Sequence, residues 1–197
     1  MAVRNPWNSA YEGSPPWDIG RPQPEFARLA QAGKLMGRTL DVGCGTGEHV
    51  MLAAQHGADA MGVDIAELAI ERARAKAKER GIRATFKVAD ALHLEQLGLL
   101  FDVVTDSGVF HVFDDEQRPI FVESLRSALR PGGMYYMMCF SDRQPGDWGP
   151  RRVSRAELRS AFAVGWSIDL IEPALFDVTI DSNGAQAWLV EIRREPE

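Results

Sequence analysis

Short apolar runs alternate along this chain with longer stretches in which apolar residues recur at helical spacing. The first kind predicts buried strands and the second amphipathic helices. Leu40 and Val42 form one short run, Ala60-Met61-Gly62-Val63 a second, and Ala84-Thr85-Phe86-Lys87-Val88 a third. Phe101-Asp102-Val103-Val104-Thr105 and residues 134–140 supply a fourth and a fifth. Between them, Phe26, Leu29 and Ala30 keep helical spacing, with Pro24 at the first turn and Gly33 as a stop. Leu68, Ile70, Ala73 and Ala77 do so over residues 66–80, which Gly81 ends. Residues 114–130 predict a helix with Phe121, Leu125, Ala128 and Leu129 inward. Asp114, Asp115 and Glu116 crowd its start, where the helix dipole favours acids. Pro119 is tolerable only in that first turn. Pro131-Gly132-Gly133 then predicts a turn into the fifth strand.

The last third has its own punctuation. Ser154-Arg155-Ala156-Glu157 is a capping box, with Val153 and Leu158 as its staple, opening a short helix. Residues 166–178 and 185–193 predict two final strands around Asp181-Ser182-Asn183-Gly184, a hairpin turn signal. Strands alternating with helices imply an α/β fold with a mostly parallel sheet, closed here by an antiparallel hairpin. Residues 1–24 show no periodicity, yet carry Trp7, Tyr11 and Trp17 among prolines and glycines. Disordered tails are poor in aromatics, so this stretch predicts an ordered arm packed on a single domain of residues 25–197.

Composition narrows the function. The 197 residues suffice for one core, and 45% hydrophobic with 25% charged residues is ordinary for a soluble domain. A net charge of −6 argues against nucleic acid as partner, since such binders present a basic face. Cys44 and Cys139 form no C-x-x-C pair, which speaks against a zinc site or a disulfide framework and for reduced thiols in the cytoplasm. Early residues such as Arg4 are not followed by the apolar stretch of a signal peptide. No apolar run has the length of a membrane span. Nothing in the pattern specifies an oligomeric state.

The stretch Thr39-Leu40-Asp41-Val42-Gly43-Cys44-Gly45-Thr46-Gly47 concentrates the candidate chemistry. It predicts a strand, a glycine turn and a helix start. Glycines there permit positive φ and close approach of a ligand to the backbone. The helix aims its first N–H groups over the turn, beyond the carboxyl ends of the strands, where open α/β sheets bind ligands. The spacing is G-x-G-x-G, not the dinucleotide pattern G-x-G-x-x-G, and Glu48 stands where the third dinucleotide glycine would be. An acid there repels a pyrophosphate. Asp41 adds a second carboxylate, suiting a cationic ligand with an amine and no phosphate. Taken alone, the glycines also fit a plain strand–helix connection. Asp64, with Ile65 beside it, ends the second strand and could accept from ribose hydroxyls or cap the next helix. Asp90, followed by Ala91 and Leu92, ends the third and could meet a base or form a turn.

At Asp41-Val42-Gly43-Cys44-Gly45-Thr46-Gly47 the chain resembles the class I S-adenosylmethionine-dependent methyltransferases, whose first motif is D/E-x-G-x-G-x-G. Pro16-Trp17-Asp18-Ile19-Gly20-Arg21-Pro22-Gln23-Pro24 is similar to the N-terminal arm of the thiol, thiopurine and halide methyltransferases, and of small-molecule methyltransferases acting on heterocycles and quinols. The resemblance implies a Rossmann-like fold with seven strands in the order 3-2-1-4-5-7-6 and helices on both faces. It implies S-adenosylmethionine as cofactor, S-adenosylhomocysteine as product, no metal, and a small-molecule methyl acceptor. Asp41, Gly43, Cys44, Gly45, Gly47, Asp64 and Ile65 would hold the cofactor, with Asp90, Ala91 and Leu92 at the adenine. Trp7 and Trp17 would close over it, or merely anchor the arm. Asp102 matches the family's structural acid at the entrance of the fourth strand.

The acceptor side is less defined. Asp106-Ser107-Gly108-Val109 stands where amino-group methyltransferases of DNA and of peptide glutamine carry [DNS]-P-P-[YFW], which argues against those substrates. His111 is the candidate general base, since an imidazole titrates near neutrality; it could equally fix its loop or pack between Phe110 and Phe113. Asp106 could orient the acceptor or bind the methionine part of the cofactor. Phe110, Trp17, Trp148 and Arg151 are candidates for contact with the acceptor, with Trp148 stacking and Arg151 or Arg152 holding a negative charge. The rival readings are a macromolecular (RNA or protein) methyltransferase, a non-catalytic S-adenosylmethionine-binding protein and a nicotinamide oxidoreductase.

Overall fold

The predicted strands are all present in the computed structural model, which describes residues 6–196. They are β1 (Arg38–Val42), β2 (Asp59–Asp64), β3 (Thr85–Val88), β4 (Phe101–Ser107), β5 (Leu129–Phe140), β6 (Trp166–Val178) and β7 (Asp181–Arg194). One sheet takes them in the order β3-β2-β1-β4-β5-β7-β6, with β1 to β5 parallel and β7 antiparallel to both β5 and β6. Helices α1 (Pro6–Ala10), α2 (Pro24–Gln31), α3 (Glu48–Gln55), α4 (Glu67–Glu79), α5 (Gln117–Ala128) and α6 (Arg155–Ala161) complete the chain.

Period-two alternation divides the core between the two faces of the sheet. Leu40, Val42, Tyr135, Met137 and Cys139 face Phe121, Leu125, Leu158 and Phe162 of the α5–α6 side. Tyr136, Met138 and Phe140 face the opposite layer, with Phe26 and Leu29 of α2, Val50 and Met51 of α3, and Ile70 and Ala73 of α4. Each of the Leu, Ile, Val, Met and Phe side chains among them, fully buried, contributes about 1.5–3 kcal/mol. Asp102 ties the entrance of β4 by accepting from Arg38 N at 2.7 Å and pairing with Arg130.

Three expectations are corrected. Pro131-Gly132-Gly133 is not a turn before β5 but a bulge inside it: Phe101 pairs with Leu129, and Val103 already pairs with Met134. Pro131 has no N–H to donate, and Gly132 sits at φ +79°, so these residues cannot extend the ladder. The final hairpin turns at Thr179 and Ile180, because Val178 pairs with Asp181. Asp181-Ser182-Asn183-Gly184 is drawn into β7 as a bulge, with Gly184 at φ +71°. The helix expected over 114–130 is shorter at both ends: Asp114 Oδ1 accepts from Glu116 N and Gln117 N ahead of the first turn, and Leu129 is already extended and paired with Phe101 in β5.

The arm contains a short helix, α1, that the sequence pattern did not show. Arg4 and Asn5 lie outside the described residues. Asn8 Oδ1 accepts from Leu68 N at 2.9 Å, which fastens α1 to the start of α4. Gln23 exchanges two hydrogen bonds with the backbone of Asp177 in β6, at 2.8 and 3.0 Å. Arg21 pairs with the Asp177 carboxylate, and Thr179 N donates to Pro16 O at 3.0 Å. The arm is thus clipped to the far hairpin across the carboxyl ends of the parallel strands.

Candidate active site

Beneath the arm lies a cavity of about 900 Å³. Its floor is the turn after β1. Gly43 sits at φ +64°, and a Cβ there would lie 2.2 Å from Val109 Cγ2. Gly45 sits at φ +52°, and its Cβ would lie 2.7 Å from the Tyr11 hydroxyl. Both glycines line the cavity with Cys44. Gly47 does not: a Cβ there would meet Phe86 at 2.6 Å, so it serves the packing of α3 against the sheet.

Asp64 is buried and lines the cavity. Its Oδ2 accepts from Gly45 N at 2.9 Å and its Oδ1 from Ala66 N at 2.8 Å, so one carboxylate braces both the glycine turn and the start of α4. Burial pushes its pKa up, and these backbone donors pull against that shift. Ile65, Asp90 and Ala91 also line the cavity. Asp90 Oδ1 accepts from Leu92 N at 2.9 Å, which is the turn role foreseen for it. Leu92 packs with the core instead of lining the cavity.

Asp41 is buried below the floor, outside the cavity lining. Its Oδ1 accepts from Thr105 Oγ1 at 2.6 Å, its Oδ2 has no hydrogen-bond partner, and burial raises its pKa to about 8. Its Oδ2 lies 3.9 Å from Nδ1 of His49, which does line the cavity and whose Nε2 accepts from Gln23 N at 3.0 Å. Asp41 therefore reaches the site only through His49. Glu48 is held by Lys76 and Arg80, each at 2.7 Å. Its charge is compensated within the protein, so the missing third glycine, more than repulsion, separates this turn from a dinucleotide site.

On the acceptor side the structure sorts the candidates differently from the sequence. Asp106 is fully buried and off the cavity; it accepts from Val109 N at 2.6 Å, Phe110 N at 3.0 Å and the Tyr135 hydroxyl at 2.8 Å. It shapes the loop and touches no ligand space. Phe110 points into the core between Phe121 and Phe162, with ring centroids 6.5 and 5.7 Å away. Val112 and Phe113 line the cavity in its place. His111 does reach the cavity, packed against Phe140 at 5.2 Å and Phe176 at 6.0 Å instead of between Phe110 and Phe113. Its Nδ1 accepts from Phe140 N at 3.0 Å, and burial together with nearby Arg118 and Arg152 lowers its pKa to about 3. Burial and the two cations thus oppose a second proton on this ring.

Trp148 lines the cavity edge-on to Phe140 at 5.6 Å. Arg151 lines it too, but its guanidinium is committed to Asp115 and Glu157, each at 2.6 Å. Arg152 donates to the carbonyls of Trp148 and Pro150 at 2.6 and 2.8 Å, bracing the loop. Trp7 and Trp17 close the arm side, with centroids 6.0 Å apart, and Trp17 Nε1 donates to the Tyr11 hydroxyl at 3.0 Å. Among the described residues no three His, Cys, Asp or Glu side chains group as a metal site requires. No described helix is long and apolar enough to cross a membrane.

The methyltransferase domain family matches residues 39–133. A 2-heptyl-1-hydroxyquinolin-4(1H)-one methyltransferase of Mycobacteroides abscessus is 35% identical over 98% of this chain and 91% of its own length. The chain belongs to the class I S-adenosylmethionine-dependent methyltransferases. This methyltransferase superposes with TM-score 0.87 and 34% identity on a structure solved in work on the conversion of a disulfide bond into a thioacetal group during echinomycin biosynthesis, covering 98% of this chain and 93% of the other. Magnesium protoporphyrin IX methyltransferase from Synechocystis PCC 6803, solved with S-adenosylmethionine bound, matches with TM-score 0.68 and 25% identity over 87% of this chain and 76% of its own.

The residues of this methyltransferase fit its cofactor. Two glycines have no room for a side chain, a buried carboxylate faces the same space, and the nearby acids suit a cationic ligand better than a phosphate. Sequence reasoning missed Tyr11, Asp18, Gln23, His49, Phe140 and Phe176, all on the cavity wall. Phe140 and Phe176 read as ordinary strand residues. Only the pairing of the hairpin beside β5, with Phe140 opposite Ala187 and Phe176 opposite Ala185 of β7, brings the two rings to 5.7 Å of each other.

Proposed function

We propose that this methyltransferase methylates a small nucleophile, a thiol, a phenol or quinol, or a hydroxylated aromatic heterocycle, inside a cavity closed by its own N-terminal arm. The observation that carries this reading is the box of rings formed by His111, Phe140, Trp148 and Phe176, continuous with the glycine floor. A planar, largely apolar acceptor gains from such walls by burial and stacking. A folded macromolecule would need an open cleft, and here the arm is clipped across it. The hydroxyquinolone named for the Mycobacteroides relative is of the class this box suits.

In this reading Asp64 binds the ribose hydroxyls, Asp90 with Ala91 meets the adenine, and Gly43 to Gly45 lie against the rest of the cofactor. Trp7 and Trp17 close over it and exclude water. When bound, the cofactor supplies a methyl carbon on a sulfonium, which the acceptor lone pair attacks in line as the carbon–sulfur electron pair returns to sulfur, giving S-adenosylhomocysteine. The protein contributes position: reacting atoms held about 3–3.5 Å apart in a dry site. Aromatic faces favour the sulfonium charge as well.

The test is methyl transfer from labelled S-adenosylmethionine to thiols, phenols and quinols, an N-hydroxyquinolone and total RNA. Turnover is expected on one small-molecule class. Transfer to RNA alone, or cofactor binding with no transfer to any small acceptor, would overturn the proposal.

A further inference from the structure

We infer that His111 serves the acceptor as a hydrogen-bond donor through Nε2–H, and that this enzyme methylates acceptors whose oxygen or sulfur arrives already ionised. The inference rests on the methyl-transfer reading above and adds the class of acceptor.

The geometry begins with the sheet. β4 ends at Ser107, opposite Met138 of β5, and Gly108 N donates to Met138 O at 3.0 Å. Two residues further along β5, the N–H of Phe140 lies past the end of β4, while β7 continues on the other side with Ala187. It donates to His111 Nδ1 at 3.0 Å. A backbone N–H can only donate, so Nδ1 must carry the lone pair, and the neutral ring must carry its hydrogen on Nε2. Phe140 and Phe176 pack edge-on against the ring and hold that orientation.

Nε2 makes no hydrogen bond with the described residues, and the ring lines the cavity. Its open side is kept open by a glycine. Gly108 sits at φ +97°, and a Cβ there would stand 3.1 Å from Nε2. The site thus presents one fixed, neutral N–H donor inside an aromatic box.

Acting as a base would require a lone pair on Nε2. Moving the hydrogen to Nδ1 would set two N–H groups against each other at a buried contact, and adding a second proton would do the same. The cations of Arg118, from α5, and Arg152, from the loop after β5, oppose protonation further. The acids that line the same cavity are already engaged: Asp18 accepts from Thr46, Glu48 pairs with Lys76 and Arg80, Asp64 accepts from Gly45 N and Ala66 N, Asp90 from Leu92 N, Asp114 from the first turn of α5, and Asp177 pairs with Arg21. The acceptor's anionic oxygen or sulfur is therefore held by Nε2–H and supplies its own lone pair to the methyl carbon. Anion and sulfonium give two neutral products, and no proton changes hands in the site.

Two experiments test this. Nitrogen-15 spectra of the imidazoles, with His111 assigned by its loss in His111→Gln, are expected to show a protonated Nε2 and a bare Nδ1 across about pH 5.5 to 8.5. A protonated Nδ1, or titration of His111 within that range, overturns the inference whatever the enzyme methylates. The second is kcat/KM on a series of phenols of graded acidity. His111→Gln keeps an N–H near the Nε2 position and should stay within roughly fivefold of wild type, whereas His111→Phe should lose about tenfold to a hundredfold. The pH profile should shift with each phenol's own pKa. Equal, large losses in both variants, or a limb near pH 6–7 that ignores the phenol, would restore the base and sink the donor. Absence of transfer to every acceptor would instead fell the methyl-transfer reading, on which this role depends.

Discussion

Replacing Asp64 by Asn removes one negative charge and one acceptor from the floor of the cavity. Asp64→Ala is the cruder probe, because it strands two buried N–H groups, those of Gly45 and Ala66, now 2.9 and 2.8 Å from the carboxylate. Asn keeps an oxygen for Ala66 N and turns an NH₂ toward Gly45 N–H. The loss is one charge-assisted hydrogen bond, about 1.5–3 kcal/mol, and the turn at Gly45 loosens accordingly. If Asp64 binds the ribose hydroxyls, the same change removes acceptors from the ligand, and cofactor affinity should fall by roughly tenfold to a hundredfold. Calorimetric titration with S-adenosylhomocysteine measures the affinity, and urea unfolding without ligand measures the stability. Lower stability with unchanged affinity would assign Asp64 to the turn alone and refute its ribose role. Weaker affinity with unchanged stability would refute the bracing argued from its two hydrogen bonds.

Three further outcomes are expected. Gly43→Ala places a methyl 2.2 Å from Val109 Cγ2 at φ +64°, so it should cost about 1–2 kcal/mol in backbone strain alone and lower cofactor affinity at least about tenfold; unchanged affinity by calorimetry would show that no ligand approaches this turn. Gln23→Ala removes both hydrogen bonds that join the arm to Asp177, should cost about 1–3 kcal/mol, and should speed chymotryptic cleavage after Trp17 of the arm; an unchanged cleavage rate would deny the clip. His49 has its pKa lowered by burial to about 4, so between pH 4 and its ordinary 6.5 the unfolded chain binds more protons than the folded one, and this contribution to stability is lost as pH falls through that window. Wild type should therefore lose about 1–2 kcal/mol more than His49→Gln between about pH 6.5 and 5 in urea titrations, and equal losses would mean that His49 does not titrate there.

Much of the cofactor half was legible in the chain because its signals are local. A glycine that must adopt positive φ, an acid that ends a strand and a helix that begins after the turn are each set within a few residues. Gly43, Gly45, Asp64 and Asp90 accordingly line one cavity. Asp41 and Gly47 carry the same motif but serve the packing beneath it: Asp41 lies inside β1, buried below the cavity, and Gly47, at the start of α3, lies against Phe86. Motif membership did not separate the two groups; the side-chain direction did.

The acceptor side depends on contacts between residues far apart in sequence. His111 looked like a base because its ordinary pKa suits that role. Its tautomer is set by the N–H of Phe140, 29 residues away, and its burial by Phe176 on the hairpin. Arg151 looked free until the turn before α5 brought Asp115 to it and α6 brought Glu157. By itself the sequence determined the strand–helix alternation, the glycine turn and the acids at the strand ends, because backbone conformation and hydrophobic period are local properties. Only the tertiary structure decided which of these groups meet in the cavity, which are spent on bracing it and which atom of His111 is left facing the cavity, because burial and hydrogen-bond partners come from strands and loops that the chain order keeps apart.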